Sequence, residues 1–147
     1  MSPSAGHRDQ VHLPPGHLLT IDRPAMVSTI LGAAVAVCLW DAISRTAGIA
    51  HFVVPFGKGP RCASDALVAL LDEMTGRGAS VSHLVAKVFG GACVSQEHRA
   101  LAAENIDAAR RFLALHEIPV TSYQTGGTCD RRVLFDCGTG FVYVKEI

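Results

Sequence analysis

The chain has 147 residues, 49% of them hydrophobic and 18% charged, enough apolar material for one buried core and too much for a disordered polymer. Thirteen basic residues balance thirteen acidic ones. A net charge of zero excludes a nucleic-acid binder that works through a broad basic face, and equally a polybasic membrane-surface protein. The five cysteines (Cys38, Cys62, Cys93, Cys129 and Cys137) are odd in number and contain no C-x-x-C pair, so zinc-ribbon and thioredoxin-type readings fail and no metal site is expected. The first residues, MSPSAGHRDQ, show no secretory signal, and a cytoplasmic location with reduced thiols is expected. The longest apolar run, Ile30–Trp40, is 11 residues and too short for a membrane-spanning helix.

In chain order, residues 1–10 read as a loose polar tail and 11–147 as a single domain. Pro14-Pro15-Gly16 is a turn, with a short strand at His17–Ile21. MVSTILGAAVAVCLW (Met26–Trp40) is β-branched and broken at Gly32, which predicts two strands meeting there. The second piece is apolar on both alternating sets, the signature of a strand covered on both faces. A strand over Ala47–Pro55 follows, then a Gly/Pro loop. Ser64 is placed to cap a helix whose stripe is Leu67, Leu70, Leu71 and Met74. Leu84–Phe89 is a strand ending at Gly90-Gly91. Ser95 is placed to cap a second helix reaching about His116, with Ala102, Ile106, Ala109 and Leu113 on one face. Three closing strands, Ile118–Tyr123, Arg132–Cys137 and Phe141–Lys145, are separated by glycine turns. Roughly eight strands and two helices, the helices inserted mid-chain, predict a mixed α/β layered fold.

Few residues suggest chemistry by themselves. His51, inside the apolar IAHFVV, fits a core histidine bonded to backbone or a general base at a pocket edge. His7, His12 and His17 recur every five residues, which suits neither a helix face nor a metal motif. Gly90-Gly91 and Gly126-Gly127 fit simple turns or a close backbone approach to a ligand, but no phosphate loop.

Four motifs in order identify more. STILGAAVAVCLWD (Ser28–Asp41), GIAHFVVP (Gly48–Pro55), AKVFGGA (Ala86–Ala92) and TGG with RRVLF (Thr125–Gly127, Arg131–Phe135) together resemble the chemoreceptor glutamine deamidase family, CheD, from about Val11 to Ile147. The resemblance implies a layered α/β fold, a β-sandwich with two or three helices on one side. It implies hydrolysis of glutamine side-chain amides on chemoreceptors to glutamate and ammonia, without metal or organic cofactor. It also implies a second partner, a CheC-type phosphatase. The implied mechanism is cysteine–histidine catalysis, with the histidine at His51. A hydroxyl residue that orients it falls on Ser28, with Thr29 as the fallback one position on. Thr29, Gly32, Gly90 and Gly91 are the implied substrate-contact positions.

The nucleophile should stand in L-G-S-C-V, but the chain reads Leu31-Gly32-Ala33-Ala34-Val35. Ala34 holds the cysteine position. Loss of a nucleophile from a coupled catalytic unit costs on the order of 10⁶-fold in kcat. Cys38, four residues along the same strand, would share its face about 13 Å away. The expectation is therefore a deamidase by family with little or no turnover, or alternatively a non-catalytic module that binds chemoreceptors or the phosphatase. Gln124 stands before TGG where an acidic residue is expected, and LAAEN (Leu101–Asn105) keeps only the asparagine of the family's I-G-x-R-N.

Overall fold

A computed structural model describes residues 9–93 and 95–147. The nine strands among them are β1 (Asp9–His12), β2 (His17–Ile21), β3 (Ala25–Leu31), β4 (Val35–Asp41), β5 (Thr46–Phe52), β6 (Val85–Gly90), β7 (Val120–Thr125), β8 (Arg131–Asp136) and β9 (Val142–Glu146). Two helices, α1 (Ala63–Gly76) and α2 (Arg99–Leu115), complete the framework. The strands form a four-stranded sheet ordered β1-β3-β8-β9 and a five-stranded sheet ordered β2-β5-β4-β6-β7. Only β1–β3 and β6–β7 are parallel, and α2 supplies the crossover between the latter pair.

Both helices lie on the outer face of the five-stranded sheet. One core layer forms between helices and sheet, with Val37, Leu39, Ala50 and Phe52 meeting Leu67, Leu70, Met74 and Leu113. A second lies between the sheets, where Val27, Leu31, Val133 and Phe135 meet Ala36, Cys38, Ile49 and Phe89. β4 and β5 contribute to both layers, which explains why their sequences are apolar on both faces. β3, with helices on neither face, alternates instead. Ala25, Val27, Thr29 and Leu31 point inward and are fully buried, while Met26, Ser28 and Ile30 point out. Gly48 in β5 lets α1 settle directly on the sheet, since a Cβ there would meet Met74 Sδ at 2.6 Å and Leu70 Cδ1 at 2.8 Å.

The layered α/β fold is as expected, and the break at Gly32 falls between β3 and β4. The sequence does not show that these two strands enter different sheets. Residues 32–34 are thus the corner by which the chain leaves one layer for the other.

Three local expectations are corrected. The proposed tail at 1–10 loses its last two residues, because Asp9 and Gln10 pair with Ala25 and Met26; the rest of it lies outside the described residues. Ser64 does not cap α1. The helix begins two residues earlier than such a cap requires, at Ala63 after Cys62, so Ser64 lies inside its first turn; the N–H groups of Ala63 and Ser64 donate to the carbonyls of Val54 and Pro55. Ser95 does not cap α2 either; a short 3-10 turn at Gln96–His98 intervenes and the Ser95 hydroxyl meets His98 Nδ1 at 3.2 Å.

The corner is held from outside. Gly91 N–H donates to Ala34 O (2.9 Å) and Ala92 N–H to Gly32 O (2.8 Å). Gly90 has φ +108°, and a Cβ on it would lie 2.2 Å from the Ala34 carbonyl oxygen. Only glycine fits this approach. Gly90→Ala should therefore destabilise the protein by at least roughly 1–3 kcal/mol from backbone strain alone, read as a lower urea midpoint; a midpoint equal to the parent's would show that the corner yields freely.

Candidate functional site

His51 is the next-to-last residue of β5 and lies in the inter-sheet layer, only 1% exposed. Across the ladders its partners are His17 in β2 and Ala36 in β4. Strand alternation puts Ala34, just before β4, on the same face as Ala36, and Ala34 packs on the inter-sheet core. A diagonal relation of this kind corresponds to Cα atoms about 7–8 Å apart, with the Cβ atoms closer. The structure therefore brings residue 34 and His51 onto one face at the same end of the sandwich.

The hydroxyl facing His51 is that of Thr29, with Oγ1 2.7 Å from Nδ1. Ser28, the first choice from the sequence, is on the opposite face of β3, where its Oγ lies 3.4 Å from His12 Nδ1. The reason is the two-residue strand period: Thr29 belongs with the inward Val27 and Leu31, and Ser28 cannot. That signal was present in the sequence. The alternation of AMVSTIL picks Thr29 once its apolar partners are assigned to the core.

The Thr29 hydroxyl has one proton, and it donates that proton to Leu13 O at 2.8 Å. Toward His51 the oxygen is consequently an acceptor. Nδ1 must carry the imidazole proton, and Nε2 is left with its lone pair. The segment after β1 holds this arrangement at both ends, because Leu13 N–H donates to Ser28 O and Gly16 N–H donates to His51 O (2.8 Å each).

Burial, helped by the nearby His12 and His17, pushes the His51 imidazole down to about 4. A neutral ring is the resident form near pH 7. Among the described residues nothing accepts from the N–H groups of Ala33 and Ala34. All three corner carbonyls are engaged, Ala33 O by Asn105 Nδ2 at 3.1 Å. Among the described residues the corner thus presents two backbone donors without an acceptor.

Gly90 and Gly91 do make close approaches, but to protein: Gly90 to the Ala34 carbonyl, Gly91 to the Ile106 side chain. Gly32 has Asp130 Oδ1 beside it. Among the described residues no thiol hydrogen-bonds to His51. Cys38 is buried on the same face as Ala34, and burial, with Cys137 adding and Lys87 opposing, pushes its thiol far above the ordinary range. Cys62 Sγ donates to Lys58 O, and Cys93 Sγ to Ser95 O. Among the described residues no three His, Cys, Asp or Glu side chains come together as a metal site, and no helix is long and apolar enough to cross a membrane. His7 lies outside the described residues; His12 and His17 stand on different sheets.

Sequence reasoning noted Asn105 only as a motif remnant. Its signal was a polar residue in step with the buried stripe of α2, Ala102 and Ala109.

The depressed imidazole has a consequence for stability. The unfolded ring titrates near 6.5. Neutral His51 therefore stabilises the fold fully above that value, and the contribution disappears as pH falls through about 4. Between about pH 7 and about pH 4.5 this site should account for on the order of 2–3 kcal/mol of lost stability. Urea unfolding of the parent and of His51→Gln at both pH values checks this, and an equal acid loss in the two proteins would contradict it.

Residues 57–146 match the family model of CheD chemotactic sensory transduction. A protein of Anaeromyxobacter dehalogenans named probable chemoreceptor glutamine deamidase CheD 1 is 35% identical, the alignment covering 99% of this chain and 90% of that one. A probable chemoreceptor glutamine deamidase CheD 2 of Geobacter sulfurreducens is 32% identical over 93% of this chain and 89% of its own. Two solved structures share the fold. The Neisseria meningitidis protein NMB0706, of family DUF152, has a TM-score of 0.54 at 12% identity, covering 83% of this chain and 65% of its own. The Bacillus licheniformis hypothetical protein YfiH has a TM-score of 0.50 at 16% identity, covering 76% and 51%. With the layered fold in place and relatives matched over nearly its whole length, the chain belongs to the CheD family of chemotaxis proteins.

Proposed function

We propose that this chain carries a glutamine-deamidase site complete except for its nucleophile, and that it engages chemoreceptor glutamines in the cytoplasm with little or no turnover. The observation that carries this reading is the Thr29–His51 hydrogen bond, which leaves Nε2 as a free base on the face shared with Ala34. A CheC-type phosphatase is the second partner in this proposal, on the resemblance alone.

The roles follow from the atoms. A thiol at position 34 would pass its proton to His51 Nε2, and the resulting sulfur anion would attack the amide carbon of a glutamine side chain. The N–H groups of Ala33 and Ala34 are the available donors for the developing oxyanion. His51 would return the proton to the leaving nitrogen, releasing ammonia and a thioester. It would then take a proton from water, whose oxygen displaces the sulfur and leaves glutamate. Thr29 holds the ring in the tautomer these steps need. With a methyl group at position 34, only the binding steps remain.

Ala34→Cys is the decisive variant. Incubated with receptor fragments, it should release ammonia and convert glutamine to glutamate by mass, whereas the parent should do neither. Added to Ala34→Cys, His51→Ala should abolish the gained activity. Thr29→Val in that background should lower kcat on the order of 10²-fold by releasing the ring from its productive geometry, and Ser28→Ala should leave it unchanged. Parent activity that His51→Ala removes would show another nucleophile at work. An inert Ala34→Cys that still binds receptor fragments would favour the adaptor reading.

A further inference from the structure

We propose that Asn105 is a positioning residue that fixes the separation between residue 34 and His51, although it hydrogen-bonds to neither side chain; this deepens the reading above and rests on it. The β4–β5 ladder carries His51 opposite Ala36 and ends one pair later, at Val35 and Phe52. Beyond that pair, the corner and the segment leaving β5 are no longer joined by strand hydrogen bonds. Asn105 takes over there. It projects from α2, is fully buried, and its single NH₂ group donates to Ala33 O at 3.1 Å and to Val53 O at 3.0 Å. One proton holds the corner that bears residue 34; the other holds the strand end that bears His51.

The other bonds to the corner, from Gly91 and Ala92, come from the β6 side and set nothing relative to β5. Asn105 is therefore the clamp on the His51 side. Its Oδ1 is buried with no partner among the described residues. An apolar side chain of the same shape would avoid that desolvation cost, so the amide is a poor choice for packing alone. The geometry it imposes on the two carbonyls is what an apolar residue could not reproduce.

The test uses a cysteine at position 34 as the reporter. Iodoacetamide alkylation of Ala34→Cys is followed against pH, with and without Asn105→Leu, which keeps the branching of the side chain and removes the two donated hydrogen bonds. Thermal unfolding verifies that each variant is folded, and Asn105→Ala serves if the leucine variant is not. In Ala34→Cys the alkylation midpoint should lie well below that of a free thiol and return to it on adding His51→Ala. On adding Asn105→Leu it should move toward about 8.5, the value of an uncoupled thiol. The rate of glutamine conversion should fall on the order of 10²-fold in kcat, with KM for the receptor fragment unchanged. A depressed midpoint that survives Asn105→Leu, with kcat intact, overturns the positioning role and leaves the site reading standing. An ordinary midpoint in Ala34→Cys that His51→Ala does not alter removes the coupled pair itself, and both readings with it.

Discussion

The hydrogen bond from His51 Nδ1–H to Thr29 Oγ1 joins the two sheets, and the site exists only because they pack. Thr29 belongs to the four-stranded sheet and His51 to the five-stranded one, so neither strand alone can form the pair. Both groups sit in a layer otherwise made of Val27, Leu31, Ile49, Phe89 and Phe135. In that apolar setting an unpaired hydroxyl or imidazole would cost on the order of 1–3 kcal/mol, so the pair is held to its geometry by the penalty for separating it. The Leu13 carbonyl adds direction. By taking the hydroxyl proton it decides which imidazole nitrogen is protonated, and a main-chain atom of the segment after β1 thereby sets the chemistry of a ring in β5.

The corner at residues 32–34 is the second element of the site and depends on different contacts. Its carbonyls are held by Ala92, Asn105 and Gly91. Those contacts are made by main-chain atoms of the corner, not by its side chains. In the proposed site, exchange of sulfur for hydrogen at position 34 would therefore delete the reacting atom without removing any bond that shapes the corner. The close approach of Gly90 to Ala34 O belongs to the same scaffold. The side chain at position 34 can change in this fold without removing the hydrogen bonds that shape the corner, because those bonds are made by the backbone.

Much of this was legible from residue order. The break at Gly32, the strand at His17–Ile21 and the α1 stripe of Leu67, Leu70, Leu71 and Met74 all follow from local periodicity and stand in the structure. What escaped depended on partners distant in sequence. Asp9 and Gln10 look like tail residues because their strand is polar and short, and its order comes from pairing beside Ala25 and Met26. Ser64 has the residue type of a cap but lies inside the helix, whose start is set by Val54 and Pro55 accepting from the N–H groups of Ala63 and Ser64. Ser28 and Thr29 are chemically close neighbours, and only knowing which face of β3 is covered separates them. Asn105 stands in a helix whose buried stripe is otherwise apolar; its two acceptors lie 52 and 72 residues away in sequence.

The low protonation range of His51 also bears on the missing sulfur. Burial, His12 and His17 all disfavour the imidazolium. None of these influences on the ring comes from an anion. A cysteine thiolate at position 34 would supply such an anion, and each charge would stabilise the other in the low-dielectric layer. The titration of a coupled thiol–imidazole pair belongs to the pair rather than to either member. In the proposed deamidase site, the neutral ring is therefore what the electrostatics would become without the thiolate half of such a pair: an environment that suppresses positive charge on the imidazole.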